Sequence, residues 1–251
     1  MPELSVAQYN LVYNFFSLTI AVMAAATLYF WMGRPMVNAK YKIAVTITGL
    51  VTFIAFYHYW RIFQSWDAAF TIAGGSVEPT GKPFNDAYRY VDWLLTVPLL
   101  MIELILIMGL PKKETVSKAT RLSVLAAIMV ALGYPGEVAT SDGTRWIFWV
   151  LSMIPFLWIV YELVAGLSAS IDKQPAAVKD LVKGARTLTV AAWCFYPIVF
   201  LFPMIGLTGS GAETFLQIGY SVADIVAKAV FGVLIFQIAV RKTQAEQEGA
   251  A

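Results

Sequence analysis

The chain has 251 residues, of which 59% are hydrophobic and only 14% are charged. Soluble domains carry roughly 25% charged residues, so this composition excludes an ordinary water-soluble domain. A single cysteine excludes a disulfide scaffold, and a net charge of +2 without a long basic cluster argues against a nucleic-acid partner. The lipid bilayer is therefore the expected solvent.

Seven segments are apolar and long enough to cross roughly 30 Å of hydrocarbon. In chain order they are residues 7–33, 42–61, 88–110, 120–138, 145–169, 185–206 and 213–240. They predict an all-α fold in which residues 1–251 form a single domain, a bundle of seven transmembrane helices. The first segment is not expected to be a cleaved signal peptide, because its start, MPELSVAQYN, has no basic residue.

The connection at residues 66–87 is the longest between two spans. Its glycine pair, Gly74 and Gly75, is flanked by short apolar runs, a pattern typical of a small hairpin or a cap over the bundle. A plain surface loop is the alternative.

Basic residues are distributed unequally between the two sides of the predicted bundle. The first, third and fifth connections and the C-terminal segment carry thirteen Lys and Arg residues, and the other side carries four. Because basic residues resist translocation, the N-terminus is predicted outside and the C-terminus in the cytoplasm, in the inner membrane of a prokaryote.

Ionisable residues inside a span are costly and are functional candidates. The third segment carries Arg89, Asp92 and Glu103, and the seventh carries Asp224 and Lys228. Glu103 follows Asp92 by three turns, about 16 Å along a helix axis toward the cytoplasm. These positions predict two carboxylates on the outer side of a central lysine and a third on its inner side.

A structural ion-pair cluster that joins the two helices would explain some of these charges. Lys228, however, lies in the apolar run IVAKAVFGVL, where a desolvated amine can form a Schiff base. Trp93 and the W-x-x-Y-P pattern of Trp193, Tyr196 and Pro197 supply aromatic and rigid side chains near it. Together they indicate a slot for a flat, apolar ligand.

Two motifs, RYVDWLLTVPLL at 89–100 and SVADIVAKAVFG at 221–232, resemble those of microbial (type 1) rhodopsins. GYPGE at 133–137, YELVAG at 161–166 and WCFYP at 193–197 extend the likeness along the chain. The chain most resembles the light-driven proton pumps of the proteorhodopsin and xanthorhodopsin group.

This resemblance implies that all-trans retinal binds covalently to Lys228 as a protonated Schiff base. It implies that Asp92 is the proton acceptor and primary counterion, that Asp224 is the second counterion, and that Arg89 tunes both. With Thr96 and Glu103, Asp92 completes the triplet that marks outward proton pumps in this family. Glu103 matches the donor that returns a proton from the cytoplasmic side.

Three further positions follow from the same resemblance. His58 matches a histidine that hydrogen-bonds the acceptor Asp92 and modifies its titration. Leu100 occupies the position that distinguishes green-absorbing from blue-absorbing proteorhodopsins, and leucine predicts green absorption. Trp149 stands where antenna-binding relatives have glycine, so a carotenoid antenna is not expected.

The remaining expectations concern competing functions and partners. A sensory rhodopsin and, less favoured, a chromophore-free proton-coupled transporter are the alternatives. An enzyme is not expected, and neither is a metal site, because one His and one Cys cannot build one. The expected partners are protons, lipid and further copies of the chain in a homo-oligomer. The sequence does not identify the proton-release group, for which three carboxylates on the outer side are candidates: Glu78, Glu137 and Asp142. The role of Glu162, on the inner side, also stays open.

Overall fold

Helices account for most of the chain, as expected where no water is available to hydrogen-bond the backbone. The computed structural model describes residues 3–248. Its helices are α1 (Val6–Gly33), α2 (Lys42–Ala69), α3 (Ala87–Met108), α4 (Lys112–Glu137), α5 (Asp142–Tyr161), α6 (Ser168–Asp172), α7 (Ala176–Phe200), α8 (Ser210–Asp224) and α9 (Phe231–Glu248).

Two π-helical stretches join helices into longer spans. Glu162–Gly166 connects α5 to α6, and Ile225–Val230 connects α8 to α9. Short 3₁₀ turns lie at Arg34–Met36, Ala39–Tyr41 and Pro203–Ile205. Residues 3–248 therefore form seven spans, which confirms the predicted seven-helix bundle.

The limits of the sixth span differ from the prediction. Helix α7 begins at Ala176 rather than at residue 185, because its first turns are charged and still helical. In the described part of the chain, six segments are long and apolar enough to cross a membrane by composition alone. Helix α7 is not one of them, because its charged first turns lower its mean hydropathy. The others extend over 6–36, 39–69, 87–108, 112–137, 142–172 and 210–248.

Local sequence explains several helix ends. Ser5 begins α1 with a capping box, in which its hydroxyl accepts from the Gln8 backbone and the Gln8 side chain accepts from the Ser5 backbone. Ser141 caps α5 through the amide of Thr144. Gly109 ends α3 with φ +68°, a left-handed conformation that glycine adopts without strain.

The connection after α2 forms an antiparallel hairpin of β1 (Phe70–Ala73) and β2 (Ser76–Pro79). Gly74 and Gly75 make its turn with φ of 59° and 85°. The predicted hairpin is thus confirmed, and the alternative of a plain loop is wrong. Beneath it, Trp66 stacks on Tyr9, so the hairpin rests on an aromatic cluster at this end of the bundle.

The polarity of the bundle is inverted relative to a soluble protein. Large apolar side chains cover its outside; Ile147, Ile154 and Leu157 are each 57–60% exposed. Charged side chains lie in its interior instead. This arrangement suits a protein whose outer solvent is hydrocarbon, and it brings the charges of the third and seventh spans together.

Candidate functional site

The centre of the bundle holds a buried ion cluster of one lysine and two aspartates. The Nζ of Lys228 lies 2.8 Å from Oδ2 of Asp92 and 2.6 Å from Oδ1 of Asp224. All three residues are at most 2% exposed. The predicted meeting of the third and seventh spans is therefore observed, with one ammonium between two carboxylates.

The backbone around the lysine departs from regular α-helix. Lys228 lies within the π-helical stretch Ile225–Val230. This stretch begins directly after Asp224, the last residue of α8. π-helical turns are rare and occur mostly at functional sites. Asp224 and Lys228 still share one face, so the carboxylate and the ammonium of the same span contact each other.

The two aspartates have different surroundings. Asp224 accepts hydrogen bonds from Tyr59 and Tyr196, both at 2.7 Å, and from Trp93 at 3.3 Å, in addition to Lys228. Asp92 accepts from Lys228 only, and its Oδ1 is a buried atom without a partner in the described part of the chain. Asp92 is thus the carboxylate with unused acceptor capacity.

Neither His58 nor Thr96 hydrogen-bonds the carboxylate of Asp92. His58 Nδ1 is 3.8 Å from Asp92 Oδ1, too long for a hydrogen bond, and instead lies 2.9 Å from the backbone oxygen of Ile54. The expected direct hydrogen bond from His58 is therefore wrong, although the ring is adjacent. Thr96 donates to the backbone oxygen of Asp92 at 2.8 Å, as threonines in helices often do.

Arg89 is 2% exposed and lies on the side of the ion cluster that is predicted to face outside, called the outer side below. It donates to Tyr59 at 3.4 Å, to Gln217, and to Asp86 at 3.3 Å, and its guanidinium covers the ring of Tyr220. It bonds neither Asp92 nor Asp224. Its link to the cluster is indirect and passes through Tyr59, which donates to Asp224.

The polar network continues outward from Arg89. Gln217 is fully buried and donates to Glu213 at 2.9 Å, one turn nearer the outer end of α8. Hydrogen-bonded side chains therefore run from the ion cluster toward the outer surface in the order Asp224, Tyr59, Arg89, Gln217 and Glu213. Among residues 3–248, no comparable chain of hydrogen-bonded side chains runs from the ion cluster toward the other end.

Glu103 lies on the opposite side of the cluster and is completely buried. Its Oε2 accepts from Thr48 at 2.6 Å, and its Oε1 has no partner among residues 3–248. Thr52 donates to the backbone of Thr48, and Thr27 donates to Thr52 at 2.8 Å. A short line of threonines is thus the polar surrounding of this carboxyl group.

A cavity begins at the lysine and extends between the helices. Its lining includes every side chain for which a ligand contact was predicted, namely Lys228, Trp93, Leu100, Trp193, Tyr196 and Pro197. Trp149 also lines it, and its indole donates to the backbone oxygen of Pro197 at 3.0 Å. An apolar molecule with one group that reacts with an amine suits this cavity, because aromatic side chains and the amine of Lys228 are part of its lining.

Three residues of the site were not predicted from the sequence. Tyr59, Gln217 and Thr48 bond Asp224, Arg89 and Glu103, respectively. All three are neutral, so a search for charges inside spans could not find them. The spacing of Thr48 and Thr52, one turn apart on the predicted second span, is the one sequence signal that pointed to a polar stripe.

The carboxylates whose roles stayed open have separate locations. Glu137 accepts from Tyr90 at 3.2 Å. Glu162 accepts from Arg121 at 2.7 Å and is 9% exposed, so it forms an interhelical ion pair rather than only ending a loop. In the described part of the chain, no group of three His, Cys, Asp or Glu residues is arranged to hold a metal ion.

Comparison with known proteins identifies the family. The family model described as bacteriorhodopsin-like protein matches residues 10–242. The chain belongs to this family. The likeness to microbial rhodopsins inferred from its motifs is thereby confirmed.

Individual rhodopsins match over almost the whole chain. The solved structure of xanthorhodopsin, described as a light-driven ion pump with dual chromophore, is 49% identical, with a TM-score of 0.95 over 98% of this chain and 99% of the other. A thermophilic rhodopsin is 45% identical, with the same TM-score and coverage. A green-light absorbing proteorhodopsin from Gamma-proteobacterium EBAC31A08 is 32% identical over 91% of this chain and 86% of its own length. This rhodopsin is thus a multi-pass membrane protein with the fold of xanthorhodopsin.

Proposed function

We propose that this rhodopsin is a light-driven outward proton pump that carries all-trans retinal on Lys228. The observation that carries the proposal is the arrangement of carboxyl groups around one buried amine. Two carboxylates contact Nζ of Lys228, and a third carboxyl group, Glu103, stands apart in the other half of the bundle. A pump needs such an acceptor and donor on opposite sides of a switchable centre.

The cavity supports retinal as the ligand. Trp93, Trp193 and Tyr196 form aromatic walls, and Lys228 supplies a primary amine that can condense with an aldehyde. Retinal bound there supplies visible absorption and a light-driven change of shape beside Nζ. All other steps depend on protons held by the side chains of this chain.

Asp92 is the better acceptor for a proton that leaves Nζ of Lys228. Its Oδ2 is already 2.8 Å from that nitrogen, and its Oδ1 is free of other donors. Asp224 accepts from three further side chains, so protonating it would displace an existing donor. Asp224 therefore acts as the counterion that stays ionised while Asp92 takes the proton.

Glu103 is the proposed donor that returns a proton to Nζ. Its Oε2 is held by Thr48 and its side chain is completely buried, so the proton it holds is separated from bulk water. Because the basic residues place this half toward the cytoplasm, the net movement is outward. Arg89 maintains the outer network, and His58 and Thr96 position the surroundings of Asp92.

The first experiment measures light-driven pH change in cells supplied with retinal. A pump acidifies the medium during illumination, and a protonophore abolishes the signal. Lys228→Ala should remove both the visible absorption band and the pH change, with Lys112→Ala, a change of an exposed lysine at the start of α4, as the control for expression. A visible band with no sustained acidification would favour the sensory rhodopsin, and a full band in Lys228→Ala would contradict covalent attachment.

The same preparation tests the expectations about colour and antenna. Leu100 lines the cavity, and we expect the wild-type band in the green. The large side chain of Trp149 lines the cavity where antenna-binding relatives have glycine, so we expect that a carotenoid cannot approach retinal there. We therefore expect no energy transfer from an added carotenoid to retinal. An excitation spectrum with a carotenoid component would contradict this. Assembly into a homo-oligomer stays a prediction.

A further inference from the structure

A second buried lysine, Lys242, lies far from the ion cluster on α9. It is 5% exposed, and its Nζ donates to the backbone oxygens of Ile107 at 2.8 Å and Met108 at 3.2 Å. Within residues 3–248 it makes no salt bridge. A buried ammonium is costly without a partner, so it is stabilised by the negative end of the α3 dipole and by the ring of Tyr41, whose centroid is 5.9 Å from Nζ.

The same helix end has a second donor, from the connection between the fifth and sixth spans. Gln174, which precedes α7, donates through Nε2 to the backbone oxygen of Met108 at 3.0 Å. Its Oε1 is buried and has no partner in the described residues. We call Lys242, Gln174 and the carbonyls of Ile107 and Met108 the cytoplasmic clamp. The clamp joins the last turn of α3 to the seventh span and to the connection between α6 and α7.

The clamp lies directly beyond the proposed proton donor. Ile107 follows Glu103 by one turn, about 6 Å along the axis of α3. The side chains of Leu104, Ile105 and Ile107 are at most 1% exposed, so apolar groups fill this turn. A proton that reaches Glu103 from the cytoplasm must cross this layer, and the layer is held in place by the end of α3.

We propose that Lys242 is a positioning residue whose bonds to α3 keep the cytoplasmic end of the bundle closed and limit the rate of proton uptake by Glu103. This inference rests on the proposed pump function. Lys242 has no contact with Glu103, so it acts through the backbone of α3. Opening requires that water replace the ammonium at the carbonyls of Ile107 and Met108, which couples loosening of this end to its hydration.

The test compares Lys242→Met with wild type. Methionine keeps an unbranched chain of similar length but removes the charge and the donors. Flash photolysis should show that proton uptake by Glu103 from the cytoplasmic side becomes about fivefold faster, the size expected for losing one cation–dipole interaction. The absorption maximum and the transfer from Lys228 to Asp92 should not change. Lys242→Arg should restore the slower uptake.

Arg241→Met is the matched control, because this neighbouring cation is exposed and contacts the backbone of Ala177 rather than α3. A second readout is amide hydrogen exchange of residues 104–109 in the dark, which should accelerate in Lys242→Met alone. Should Lys242→Met fail to form the visible band, Gln174→Leu removes the other donor without changing a charge and is expected to show the same two effects in smaller measure.

Uptake and exchange at wild-type rates in the folded variants would overturn the proposal. Failure of the pump function is a separate result, since it would appear in wild type as the lack of a light-driven pH change. The dark exchange measurement would then still decide whether the clamp holds the end of α3.

Discussion

The outer and inner halves of the bundle differ in how their buried polar groups are connected. On the outer side, Tyr59, Arg89 and Gln217 form a continuous hydrogen-bonded network from Asp224 toward the surface. On the inner side, Glu103 is completely buried and has one hydrogen-bond donor, Thr48, which belongs to a short line of threonines. The buried polar groups of the outer half are thus connected to one another, whereas the carboxyl group of the inner half is not connected to the ion cluster.

This difference gives the proposed pump its direction. Asp92 shares Lys228 with Asp224, where the outward network begins, so a proton on Asp92 lies next to the first member of that network. A proton that moves from the cytoplasm to Glu103 must cross the apolar layer of Leu104, Ile105 and Ile107, which has to open first. The two halves therefore make different demands on mutation, and variants can test each half separately.

The largest effect is expected from Asp92→Asn. The amide can still accept a hydrogen bond from Lys228, but it cannot take up a proton, so the outer half loses its entry point. Light-driven acidification should fall by a factor of about 10² or more, as is typical when a positioned proton-transfer group is removed. The measurement is the initial rate of pH change at equal amounts of pigment.

Asp67→Asn is the control for that variant, because Asp67 is an exposed outer carboxylate bonded to Tyr9 at 3.3 Å. It should pump at the wild-type rate. Acidification by Asp92→Asn at more than a tenth of the wild-type rate would contradict the role of Asp92 as acceptor.

Glu103→Gln should affect the inner half only. Proton transfer to Asp92 should keep its rate, while reprotonation should slow by about 10² because protons must come directly from bulk water. Time-resolved absorption separates the two steps. Glu162→Gln, another inner carboxyl group but one bound to Arg121, should leave both rates unchanged. If both steps slowed equally in Glu103→Gln, the two halves would not be independent.

The smallest of these effects is expected from Tyr59→Phe, which breaks the outer network without removing a charge. The lost hydrogen bond to the Asp224 carboxylate is worth about 1.5–3 kcal/mol. We expect a lower temperature for thermal loss of the visible band and an altered rate of proton release. Tyr57→Phe, on the same helix but 50% exposed, should change neither. An unaltered release rate in Tyr59→Phe would show that the network is structural only.

The fold was largely predictable because hydropathy reports the membrane. The seven spans and the hairpin at Gly74 and Gly75 follow from composition and turn residues. Helix ends were less predictable, since α7 continues through a charged stretch that hydropathy places outside the membrane. The π-helical stretches could not be predicted, because the pattern of side chains does not show where backbone hydrogen bonds change from i→i+4 to i→i+5.

The site was predictable where it is charged. Five charged residues are conspicuous in the apolar spans: Arg89, Asp92, Glu103, Asp224 and Lys228. In the structure three of them form the ion cluster, Arg89 belongs to the outer network, and Glu103 stands apart. Neutral partners escaped prediction because a tyrosine or glutamine in a span is ordinary. The bond expected between His58 and Asp92 failed because the Nδ1 atom of the ring faces a backbone carbonyl of its own helix.

The hairpin offers a practical attachment point. A side chain added at Gly74 or Gly75 would meet no other atom within 4 Å. Exposed loop tips of this kind tolerate inserted sequence. A short peptide tag placed between the two glycines would be displayed clear of the bundle, so the protein could be labelled with a fluorophore or tethered to a surface in one orientation while its proton path stays intact.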